Sequence, residues 1–148
     1  MNQTEKLLQA VVENGRMGAS ACKQLMEKTK DEALRTELIR EKTDYENAVN
    51  SAEKMLQDMG VKPQPKGPMA RMGMWMGMEM DTIMDHSASH IADMVIQGAT
   101  MGIVEMTKAR NSFPDADPNA QGIIAGLITC QQESIDRLKA FLQEKVVL

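Results

Sequence analysis

The chain has 148 residues, 26% of them charged, and a formal net charge of −4. That is enough for one domain with its own core, and no basic stripe offers itself to nucleic acid. Aromatic residues make up only 3% while methionine numbers 15, and so little aromatic and β-branched material argues against an all-β fold.

Cys22 and Cys130 stand far apart, with no second thiol at metal-ligand spacing from either. A disulfide scaffold and a zinc ribbon are therefore both excluded. The first residues lack the apolar segment of a signal peptide, and no run of 18 apolar residues occurs. A cytoplasmic protein that spans no membrane is expected.

A first helix is predicted over about 4–29. Leu8, Val11, Val12, Gly15, Gly18, Ala19, Cys22, Leu25 and Met26 share one face, with Gln9, Glu13 and Arg16 opposite. Each glycine costs roughly 1 kcal/mol of helix propensity, so their place on the inner face implies either a close helix approach or a gap. Asp31 is the expected N-cap of a second helix over 31–59. Its stripe runs through Leu34, Leu38, Glu41, Tyr45, Ala48, Ala52, Met55 and Met59, and Gly60 follows at the position of a left-handed C-terminal glycine. So short a link makes the two helices antiparallel.

Residues 60–68 carry three prolines and two glycines and read as a linker. An extra short helix, rich in methionine, is predicted over about 69–84, opened by Pro68. Ser87 then caps a helix over about 88–111. Asp117 and Pro118 supply an N-cap and a first-turn proline for the last helix, about 118–145, with Ile124, Leu127, Ile128, Gln131, Ile135, Leu138 and Leu142 inward. The expected fold is an all-α four-helix bundle in one domain, 1–148. Its long helix 2–helix 3 crossover carries the extra methionine-rich helix and sets those two helices parallel, as in ferritin-like bundles. An up-down-up-down bundle with the insertion folded back is the alternative.

Several stretches resemble one known family. They are Val11-Val12-Glu13-Asn14-Gly15-Arg16-Met17-Gly18, Thr29-Lys30-Asp31-Glu32-Ala33-Leu34-Arg35, and the methionine-rich segment around Trp75. Ser89-His90-Ile91-Ala92-Asp93-Met94, its continuation Ile96 to Gly102, and Glu133-Ser134-Ile135-Asp136-Arg137-Leu138-Lys139 complete the set. The family is that of uncharacterised bacterial ferritin-like four-helix bundles, grouped as a domain of unknown function. The resemblance implies a ferritin-like fold and no particular activity.

Ferritin-like oxidases bind two irons through a Glu from each of two helices and a Glu-x-x-His pair from each of the others. No Glu-x-x-His occurs in this chain, so that ligand set is lacking and no cofactor is expected. Glu41 and Gln131 are instead the polar residues on otherwise apolar stripes. Glu41 is either hydrogen-bonded to Gln131, to a serine or to water, or is a remnant ligand or proton-transfer site. The structural alternative predicts that Glu41→Gln changes stability by less than ~1.5 kcal/mol.

His86 and His90 stand four apart, with Asp93 nearby, and are the weak candidates for a metal. Ser87 between them looks like a helix cap, which would separate them. Met72, Met74, Trp75, Met76 and Met78 form the candidate interaction surface, because spacing by two puts thioethers on both sides of a helix. Such a helix packs at a core or interface, binds a partner or ligand through flexible methionines, or offers soft sulfur to Cu(I). The functional expectation is a non-enzymatic bundle acting by self-association, most simply a homodimer, or by binding a protein partner. The alternative is metal binding or storage through His86, His90 and nearby acids or methionines.

Overall fold

A computed structural model of the chain describes residues 2–62 and 84–144. Helix α1 is Gln3–Lys28, α2 is Glu32–Asp58, α3 is Ala88–Ser112 and α4 is Pro118–Leu138, followed by a 3-10 turn at Lys139–Phe141. No strand occurs among the described residues. The methionine-rich helix expected at 69–84, with Met72, Met74, Trp75, Met76 and Met78, lies almost wholly outside the described residues.

The helix starts follow local chemistry. Asn2, Asp31, Ser87 and Asp117 each accept a hydrogen bond from a backbone N–H of the first turn, at 2.8, 2.9, 3.2 and 2.8 Å. These side chains satisfy donors that have no partner within the helix. Replacing Asp31 with alanine should cost about 1 kcal/mol, read as a lower urea midpoint with unchanged slope. Helix α2 ends as expected, with Gly60 at φ 74°.

Helix α1 packs against α2 and α3, and α4 also packs against α2 and α3. Cys22 meets Glu41 and Gly18 meets Tyr45, so α1 and α2 are antiparallel. Tyr45 meets Gln131 and Glu37 meets Arg137, so α2 and α4 are antiparallel as well. Gly102 lies beside Gln131 while Ser89 bonds Gln143, which opposes α3 to α4. Helices α2 and α3 therefore run parallel, and residues 59–87 join opposite ends of the bundle. This is the one-crossover arrangement expected from the long connection; the up-down-up-down alternative does not hold.

The core consists of one inward stripe per helix. On α2 the stripe is Leu34, Leu38, Glu41, Tyr45, Val49, Ala52 and Leu56. Past Tyr45 it departs from the expected stripe, since Ala48 and Met55 are only partly buried and Met59 is 37% exposed. The reason is the period. Leu34, Tyr45 and Leu56 recur every 11 residues, close to the 3.6 of a straight helix, whereas the expected stripe drifted toward the coiled-coil 3.5. Gln9, expected outside, is buried and donates to the Lys62 carbonyl at 3.2 Å. The last helix stops at Leu138 rather than about 145. Beyond the 3-10 turn the chain extends, and Gln143 exchanges two hydrogen bonds with the Ser89 side chain. Leu142 accordingly lies 43% exposed instead of inward.

Candidate functional site

Halfway along the bundle the apolar stripes give way to a layer of polar side chains. Asn14 comes from α1, Glu41 and Tyr45 from α2, and Gln131 and Ser134 from α4, and all five are buried. A buried polar group costs free energy unless hydrogen-bonded, and this layer answers with a relay. The Tyr45 hydroxyl donates to Glu41 Oε1 at 3.3 Å and accepts from Gln131 Nε2 at 3.3 Å. Gln131 Nε2 also donates to Asn14 Oδ1 at 3.1 Å. The Cys22 thiol donates to Glu41 Oε2 at 3.5 Å. Glu41 and Gln131 thus share a layer, as their place on the stripes suggested, but Tyr45 stands between them.

Glycines make room for this layer. A Cβ on Gly18 would lie 2.5 and 2.6 Å from Cε2 and Cε1 of the Tyr45 ring, and one on Gly102 would lie 2.5 Å from Gln131 Nε2. A Cβ on Gly15 would strike Val49 and come within 3.1 Å of the Tyr45 carbonyl oxygen. Close approach of α1 to α2 is therefore the reason for the two α1 glycines, and they are worth their propensity cost.

Burial dominates the electrostatics. It pushes the Glu41 carboxyl up from its ordinary 4.5 to about 7, against the lowering effects of Cys22, Tyr45, Ser134 and the Arg137 charge. Ser134 is near enough to act on the carboxyl but forms no hydrogen bond of normal length. Burial, and then the neighbouring Glu41, raise both the Cys22 thiol and the Tyr45 phenol well above their usual values. Both therefore stay protonated donors at neutral pH, and Cys22 is a poor nucleophile. Arg137 is held by Glu37 at 2.7 Å and does not itself pair with Glu41.

Gln131 and Ser134 stand three apart on α4, and Asn14 takes an inward place on α1. The layer holds one carboxyl, that of Glu41. It suits hydrogen bonding and a single proton rather than a pair of cations.

The histidines are placed apart. Ser87 caps α3, so His86 precedes the helix and His90 lies in its first turn. They do not share a helical face. His90 and Asp93 line a shallow cleft with Asp85 and Glu144, which His86 does not join. Among the described residues no three His, Cys, Asp or Glu side chains gather as a metal-binding group. Glu105 pairs with Lys108 at 3.5 Å on the α3 surface. Cys130 is only partly buried.

Asn14, Ser134 and the polar roles of Tyr45 and Cys22 escaped the sequence reading. A signal for two of them existed: Asn14 falls three after Val11, and Ser134 three after Gln131, each on an inward stripe.

A family model described as a domain of unknown function, DUF2383, matches residues 3–112. The chain belongs to this family. The matched span holds α1, α2 and α3, and so includes Asn14, Cys22, Glu41 and Tyr45 but not Gln131 and Ser134. No curated protein matches the chain. The crystal structure of a DUF305 fragment from Deinococcus radiodurans is similar to it, with a TM-score of 0.75 and 13% identity over 95% of both chains. At that identity the likeness shows a shared helical fold. No helix of this DUF2383 chain, among the described residues, is long and apolar enough to cross a membrane.

Proposed function

We propose that this chain is a non-catalytic, ferritin-like bundle that acts by association, in the first place as a homodimer. The observation that carries the reading is the closed polar layer. Its one carboxyl is 3% exposed, its hydrogen bonds run to its own neighbours, and the cavity beside it measures about 30 Å³. That is space for about two waters and too little for an organic metabolite and its reaction partner. The parallel α2 and α3 support kinship with ferritin-like bundles.

Association has its own support. A four-helix bundle closes its core with four apolar faces, and the alternating methionines Met72, Met74, Met76 and Met78 with Trp75 are apolar residues in the sequence beyond the stripes of the four described helices. Unbranched thioethers suit a contact that must adapt to its partner. Light scattering at micromolar concentration should give a dimer, and Met74→Glu with Met78→Glu should shift it to monomer. A monomer in both proteins would overturn the reading. The competing reading, metal binding through His86, His90 and Asp93, is tested by titrating tag-free protein with Zn(II), Fe(II) and Cu(I). Stoichiometric binding lost on His90→Ala would establish it.

A further inference from the structure

Helices α1 and α2 carry charged side chains along their whole length, but α3 has none from Met94 to Val104 and α4 none from Pro118 to Gln132. Burial explains only one side of those stretches. Thr100, Val104 and Thr107 follow one another along the outer side of α3, and Gly122, Gly126 and Thr129 along that of α4, all six exposed. The two helices pack against each other, so their outer sides make one face. Val104 is 48% exposed on it, and a Cβ added at Gly122 or Gly126 would meet nothing within 4 Å. The outward side of a surface helix is ordinarily charged, whereas charge is depleted at the core of an interface.

Charge returns at the two ends of this face, with opposite signs. Asp93 of α3 and Glu133 and Asp136 of α4 stand at one end, and Lys108 and Arg110 of α3 at the other. Asp136 already pairs with Lys139 at 3.0 Å, and Lys108 with Glu105 at 3.5 Å. The negative end is therefore carried by Asp93 and Glu133 and the positive end by Arg110. Asp115 and Asp117 lie beyond Arg110 but are drawn toward α1, where their backbone N–H groups donate to Gln3 and Thr4.

A face of this kind complements itself when a second copy is turned end for end. Arg110 of each copy then approaches Asp93 of the other, and Val104 lies close to the two-fold axis. With like ends together, acid would meet acid. We infer that the outer face of α3 and α4 is a contact surface for a second copy of this chain, packed antiparallel about a two-fold axis that crosses the helices. The inference rests on the association reading and gives that dimer a contact in addition to the methionines. The chain's own connection leaves α2 elsewhere, beside α1, where Gln9 holds the Lys62 carbonyl.

Sedimentation velocity of the natural chain and four variants tests it. Ile39, 47% exposed on α2, supplies a matched control away from the face. Val104→Glu should raise the dimer dissociation constant at least tenfold, and Ile39→Glu should leave it unchanged. Arg110→Asp should weaken the dimer, and Arg110→Asp combined with Asp93→Arg should restore it. A natural chain that is monomeric would overturn the association reading and this inference together. A natural dimer that Val104→Glu leaves intact, or that Ile39→Glu weakens equally, would overturn this inference alone. So would a combined reversal that fails to restore the dimer. A Val104→Glu chain that melts earlier yet keeps the mass of two chains would give the face to the chain's own residues, which also overturns it.

Discussion

At pH 8, Glu41→Gln should be more stable than the natural chain by about 3 kcal/mol, and near pH 4 the advantage should vanish. Burial lifts the carboxyl from 4.5 to about 7 in the folded chain. Between those values the folded state holds a proton that the unfolded state has lost, so stability falls as pH rises. The contribution is complete below pH 4.5 and is lost once pH passes about 7. Glutamine is neutral throughout. It can accept from Tyr45 and turn an N–H toward the Cys22 sulfur, at a cost of about one hydrogen bond or less. Sequence alone bounded this substitution at ~1.5 kcal/mol; 3% exposure enlarges the effect and gives it a pH dependence. Urea unfolding of both proteins between pH 4 and pH 8 checks it, since the two stability curves should separate as pH rises. Parallel curves would mean that the carboxyl titrates alike folded and unfolded.

Gly18→Ala should destabilise the bundle by about 2 kcal/mol, or roughly 4–8 °C at this chain length. The new Cβ meets the Tyr45 ring, and that ring cannot swing aside without breaking its hydroxyl from Glu41 and Gln131. Overpacking of this kind costs about 1–3 kcal/mol, partly offset by alanine's better helix propensity. Gly126 supplies the control. It lies within α4 with nothing within 4 Å of an added Cβ, so Gly126→Ala should be neutral or stabilise by up to ~1 kcal/mol. Thermal melts of the two variants should move in opposite directions or differ by several degrees. Equal shifts would show that propensity, and not the fit against Tyr45, governs Gly18.

Much of the architecture was legible because it is written in local chemistry. Asp31, Ser87 and Asp117 announce helix starts by capping, Gly60 announces a stop as a C-terminal glycine, and the long connection is long enough to let α2 and α3 run parallel, although only the structure excludes an up-down-up-down bundle. What depends on accumulated rotation was less legible. A difference of a tenth of a residue per turn moved the inner face of α2 from Met55 and Met59 to Leu56. The end of α4 was set by Ser89, a residue far away in sequence. At the site, the pattern pointed to Glu41 and Gln131 because each interrupts an apolar stripe. Tyr45 passed as apolar because its ring fills a core position, and only the fold shows its hydroxyl joining the two. Cys22 was read as a small core residue, which its burial supports, and its contact with Glu41 is purely tertiary.

The central proposal is that the bundle acts by association and that its buried polar layer holds no metal. Native mass spectrometry of tag-free protein at micromolar concentration reads copy number and bound metal together. The account predicts a mass of two chains with no stoichiometric metal, unchanged by Glu41→Gln. A single chain carrying one metal ion, lost when Glu41 becomes glutamine while the fold persists, would contradict it.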